Sequence, residues 1–170
     1  DLGVSGITQV YSGSVNMSNL SLTTASGFLP GDTVTASATG TFASKNVGAN
    51  IAYTIGVTLS GADAANYQMN GGSSYTGANG VITQLASVTY TGSNAGGNWS
   101  NPANWTTTGT STVGAIPDLS NVATVIIPVG STVIYDAAVA GPVTSSVIDN
   151  GNITVNVPSA TTISMPISGV

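Results

Sequence analysis

Residues 33–43, TVTASATGTFA, place Val34, Ala36, Ala38, Gly40 and Phe42 on one side and Thr33, Thr35, Ser37, Thr39 and Thr41 on the other. A period of two predicts a half-buried β-strand. Residues 50–60 repeat the signal more strongly, with Ile51, Tyr53, Ile55, Val57 and Leu59 alternating against Ala52, Thr54, Gly56, Thr58 and Ser60. The polar, Gly-containing stretch 44–49 between them reads as a hairpin connection. Gly61 to Tyr67 reads as one short helical turn capped by Asp63, with Tyr67 returning to the core. No stretch carries a comparable helical period.

Beyond residue 120 the apolar clusters keep an even cadence: Val125–Ile127, Val133–Tyr135, Val143–Val147, Ile153–Val157 and Ile163–Met165. The interval is about ten residues, which fits a sandwich, a barrel or a β-solenoid, and periodicity alone does not separate these. Pro128, Gly130, Gly141-Pro142, Asn150-Gly151 and Pro158 fall between the clusters as turn residues. The chain therefore reads as all-β. A change of composition near residue 85, followed by a Gly-Ser-Asn-rich stretch and both tryptophans, predicts two domains: a sandwich-like module over 1–84 and a second β domain over 85–170.

Composition narrows the chemistry. Among 170 residues there are six Asp, one Lys and no Glu, Arg, His or Cys, so charged residues make up 4 % and the net charge is -5. That inventory lacks the Ser-His-Asp and Cys-His systems, the usual zinc ligands and a Glu/Asp acid-base pair, and it predicts a protein that is not an enzyme and uses no cofactor. A single cation, Lys45, does not neutralise a nucleic-acid backbone, so no nucleic-acid partner is expected. With 41 % hydrophobic residues and a mean hydropathy of +0.32, the chain is expected to fold. No apolar run has the length of a membrane span, so no membrane insertion is expected. The start, Asp1-Leu2-Gly3-Val4, lacks the basic and apolar regions of a signal peptide and reads as that of a mature or excised segment.

Three blocks carry a resemblance: Gly27-Phe28-Leu29-Pro30-Gly31-Asp32-Thr33-Val34, then Gly40-Thr41-Phe42-Ala43-Ser44-Lys45-Asn46-Val47-Gly48, then Leu59-Ser60-Gly61-Ala62-Asp63-Ala64-Ala65-Asn66-Tyr67. In this order and spacing they resemble the YDG repeat module of filamentous-haemagglutinin-like, two-partner-secreted bacterial surface adhesins. The module's name-giving Tyr-Asp-Gly is here Tyr11-Ser12-Gly13. Residues 85–170, through Trp99-Ser100-Asn101-Pro102-Ala103-Asn104-Trp105, Ile116-Pro117-Asp118 and Val125-Ile126-Ile127-Pro128, resemble less specifically the segment that follows such modules. The resemblance implies an Ig-like β-sandwich followed by the start of a β-solenoid or a second sandwich. It also implies a location outside the cell, on the bacterial surface, with neighbouring modules or subunits as partners.

Candidate sites follow from residue types. Asn16, Asn19, Asn98, Asn104 and Asn152 each head an N-x-S/T pattern and are glycosylation candidates. Trp99 and Trp105 are candidate platforms for stacking a surface glycan, against the plainer reading of core aromatics. Asp32, Asp63, Asp118, Asp136 and Asp149 form no close ligand array for calcium and read as turn and cap residues, so no metal site is expected. Ile163, Met165 and Ile167 form an alternating row suited to adding a strand to a neighbour's sheet. The functional expectation is a structural, adhesive spacer of a large secreted surface or biofilm-matrix protein. The alternatives are a filament subunit polymerising by strand addition and a carbohydrate-binding module.

Overall fold

The computed structural model describes residues 2–157 and 164–169; Pro158 and Ile163 lie outside them. The chain divides into two compact units: residues 1–9 with 15–82, and residues 10–14 with 83–170.

Unit 1 is built mainly from antiparallel pairs. β1 (Leu2–Ser5) pairs with β3 (Ser21–Ala25), while β2 (Thr8–Val10), β4 (Thr35–Phe42), β5 (Gly48–Ser60) and β6 (Ser74–Thr83) form a four-stranded sheet in the order β2-β6-β5-β4. The expected hairpin is present: β4 and β5 run in register from Thr35 opposite Ser60 to Phe42 opposite Tyr53. The alternation sorts the faces as read, with Phe42, Ile55 and Val57 buried and Thr35, Ser37, Thr39, Thr41, Thr54 and Thr58 exposed. Gly40 keeps the inner face low, because a Cβ there would strike the side chains of Met17, Leu20 and Ile55. Gln9 is buried and accepts a hydrogen bond from the Ser18 N–H at 3.1 Å, which fixes the segment between β2 and β3.

Unit 2 solves the strand problem differently. β7 (Leu85–Tyr90), β10 (Val122–Ile127), β12 (Ser146–Asp149) and β14 (Ile167–Ser168) pair in parallel, in a sheet closed at one edge by antiparallel β9 (Trp105–Thr107). β8 (Gly97–Asn98), β11 (Thr132–Asp136) and β13 (Asn152–Asn156) form a second parallel sheet. Apart from β9, successive strands alternate between the sheets, so each coil contributes one strand to each and the next coil stacks upon it. Val125 faces Val147 and Val133 faces Ile153, a return of 22 and 20 residues. The ten-residue cadence is thus half a coil, and the solenoid is the arrangement found. Val88, Val125 and Val147 stand in one column, each fully buried.

Residues 10–14 belong to this second unit. Tyr11 is 2 % exposed; its N–H donates to the Thr83 carbonyl at 2.8 Å and its hydroxyl to the Ile116 carbonyl at 3.0 Å. The same hydroxyl lies 3.5 Å from Asp118 Oδ1, which also accepts from Asn121 Nδ2 at 2.7 Å. Gly13, at φ +78, passes so close to Gly114 that a Cβ would sit 2.2 Å from its carbonyl oxygen. Burial pushes the Tyr11 phenol well above its usual range, and the Asp118 charge and its hydrogen bond add to the shift. Among the described residues no buried side-chain nitrogen or oxygen lacks a partner.

Both tryptophans lie in unit 2, so indole fluorescence reports its unfolding alone. Tyr11→Ala is expected to cost about 3–5 kcal/mol in that transition, as for other buried aromatics, and Tyr11→Phe about 1–2 kcal/mol for the lost hydrogen bonds. Because the phenol is harder to ionise folded than unfolded, its contribution is complete below about pH 10 and is lost as pH rises beyond. Tyr11→Phe is therefore expected to flatten the alkaline loss of stability, measured as denaturation midpoints between neutral pH and pH 11.

Candidate functional site

In unit 1 the first and third of the three sequence blocks meet. A single 3-10 turn, Ala64–Asn66, follows β5 with Asp63 at its cap position, but Asp63 makes no side-chain bond to the turn. Its Oδ2 accepts instead from the Thr33 N–H at 2.8 Å. The expected Asp63 cap is thus replaced by a tie between blocks, because the carboxylate is turned to the Thr33 N–H instead. Tyr67, expected in the core, is half-buried; its hydroxyl accepts from the Leu29 N–H at 2.8 Å and donates to Asp32 Oδ2 at 2.7 Å. Phe28 packs edge-on against the Tyr67 ring with centroids 5.3 Å apart. Gly61, at φ +116, lets the Thr33 carbonyl approach to where a Cβ would be 2.2 Å away.

The Leu29 N–H lowers the Tyr67 pKa, but the Asp32 hydrogen bond and the charges of Asp32 and Asp63 raise it on balance, so the phenol stays protonated as a donor at neutral pH. Beside this clamp lies a depression of about 290 Å³, walled by Phe28, Leu59, Tyr67 and Tyr75 with the amides of Gln68 and Asn70. Nothing in the residue types or their spacing marked this grouping, because its members come from β5, β6 and two loops.

In unit 2 the two tryptophans meet one another. Asn101 caps a 3-10 turn, Pro102–Asn104, by accepting from the Ala103 N–H at 3.0 Å, and this turn folds Trp105 back toward Trp99. Their ring centroids are 4.9 Å apart, and Tyr90 and Tyr135 complete the cluster at 5.5 and 5.3 Å. Trp105 Nε1 donates to the Trp99 carbonyl at 2.6 Å and Trp99 Nε1 to the Pro117 carbonyl at 2.9 Å. Both indoles are fully buried. The glycan-stacking expectation at Trp99 and Trp105 is corrected accordingly: their faces and N–H groups are spent inside the protein, leaving none for a sugar.

The remaining candidates stand apart from one another. Asn16, Asn19, Asn98 and Asn152 are exposed, whereas the Asn104 amide donates to the Asn98 carbonyl at 2.9 Å. Of the strand-addition row, Ile163 lies outside the described residues, Met165 is buried and Ile167 opens β14, paired with the chain's own β12. Asp136 accepts from both the N–H and the hydroxyl of Ser100, and Asp149 from the Gly151 N–H. No three Asp side chains among the described residues come together as a metal site. No described helix is long and apolar enough to cross a membrane.

The clamp ties together two of the blocks on which the resemblance rests. Residues 2–77 match the family model of the YDG domain. A YDG domain is thus detected over residues 2–77, and Asp32, Asp63 and Tyr67 within it form the clamp's hydrogen bonds. No curated protein and no solved structure matches the chain significantly.

Gly61 and Gly71 both sit at positive φ, yet a Cβ at Gly71 meets nothing within 4 Å. Each Gly→Ala change carries the backbone cost, of order 1–3 kcal/mol. Gly61→Ala is expected to lose about 1–3 kcal/mol more, because the Thr33 carbonyl has to move. Paired urea titrations followed by far-ultraviolet circular dichroism check the difference.

Proposed function

We propose that the chain is a structural, adhesive segment of a large secreted bacterial surface or biofilm-matrix protein, where it serves as a β-rich spacer. One observation carries this reading. Val155 is 53 % and Ile167 54 % exposed, although they stand in register with Tyr135 and Val147, which are 5 % and 0 % exposed. In-register parallel neighbours point the same way. Val155 and Ile167 are thus apolar and exposed at positions that are buried one coil earlier. The YDG domain and a side-chain inventory without His, Cys or Glu support a non-enzymatic role.

The exposed Val155 and Ile167 also favour a second reading, a filament subunit in which a neighbour's strand covers them. Edge pairing of this kind rests on backbone hydrogen bonds and apolar contact, so it is insensitive to ionic strength, unlike contact between charges. For the spacer, antibodies against the chain are expected to label intact producing cells, and the purified chain is expected to sediment as a monomer from low to high salt. Labelling only after permeabilisation contradicts the surface location. Salt-insensitive polymers that dissolve on Val155→Lys and Ile167→Lys decide for the filament.

A further inference from the structure

We infer that the depression beside the YDG clamp is a binding site for a neutral sugar ring. It goes beyond a spacer role and does not depend on one. Phe28, Tyr67 and Tyr75 are each only partly buried there, so three aromatic residues keep part of their surface in water. Two of them are held in place: Tyr67 by the Leu29 N–H and Asp32, and Phe28 by its edge-on contact with Tyr67. Fixed rings cost little ordering entropy when a ligand arrives.

The lining chemistry selects the ligand class. No charged side chain lines the depression, and the nearby Asp32 Oδ2 is already bonded to the Tyr67 hydroxyl. An anion finds no counter-charge, and the Asp32 and Asp63 carboxylates beside Tyr67 lie outside the lining. What remains is apolar ring surface edged by the exposed amides of Gln68 and Asn70, which offer both donors and acceptors. A pyranose has the matching character, with one face of C–H groups and a rim of hydroxyls, and a Tyr or Phe ring suits the C–H face. At about 290 Å³ the space lies at the small end for ligand sites and suits one ring rather than an oligosaccharide or a folded peptide. The sugar reading thus moves from the buried tryptophans of unit 2 to tyrosine and phenylalanine in unit 1.

The test uses the full chain and saturation-transfer NMR with methyl galactoside, methyl glucoside, N-acetylgalactosamine and N-acetylneuraminic acid. At least one neutral sugar is expected to receive saturation, strongest at its ring C–H protons, with an affinity of about millimolar. Gln68→Ala and Asn70→Ala, both at exposed positions, are expected to weaken it about tenfold together while leaving the unfolding midpoint in place. Tyr75→Ala is expected to abolish it. No transfer to any neutral sugar overturns the inference, as does preference for the anionic sugar or binding unchanged in all three variants. Equal competition by a Phe-containing tripeptide overturns it in favour of a peptide groove.

Discussion

The parallel ladder running through Val88, Val125 and Val147 is the constraint on which unit 2 depends. It fixes where every coil closes, since each strand has to return to the register of the one before it, whether after 37 residues (Val88 to Val125) or 22 (Val125 to Val147). It also dictates side-chain chemistry. Each coil presents the same face to its neighbour, so a charge at a stacked position would meet like charge or burial. Neutral Thr, Ser, Asn and small apolar residues avoid both, and their backbone groups bond along the stack. The near absence of Lys, Arg and Glu fits such a structure, and the few Asp carboxylates are placed where an N–H or hydroxyl meets them.

Much of the fold was legible. The hairpin of β4 and β5 was readable because one face is buried and the other is wet, which writes a period of two into the sequence. The ten-residue cadence was readable as well, but its meaning was not: alternation is identical whether a strand pairs with its successor or with one twenty residues on. Strand direction is decided by the stacking of Val125 on Val147, a contact between coils that no local pattern records. The recruitment of Tyr11 was hidden for the same reason, since its partners Ile116 and Asp118 lie more than a hundred residues away. Trp99 and Trp105 were singled out by residue type, and their spacing did not show that the two rings meet. Their burial depended on Tyr90 and Tyr135, which the spacing does not include.

The YDG blocks gain a physical account from unit 1. Asp32, Gly61, Asp63 and Tyr67 stand together because a two-point tie joins the loop before β4 to the turn after β5. The clamp holds aromatic rings half in water beside two amides, and that arrangement is what the proposed sugar site uses. Stability and recognition would then share residues, a common arrangement where a rigid sheet supports loops that carry function.

Parallel stacking in unit 2 is tested most directly by nuclear Overhauser contacts in the isotopically labelled chain. The ladder predicts backbone contacts between Val125 and Val147 and between Val133 and Ile153, in parallel register. Antiparallel contacts joining residues 122–127 to residues 132–136, as in a hairpin, would contradict it and with it the stacked spacer.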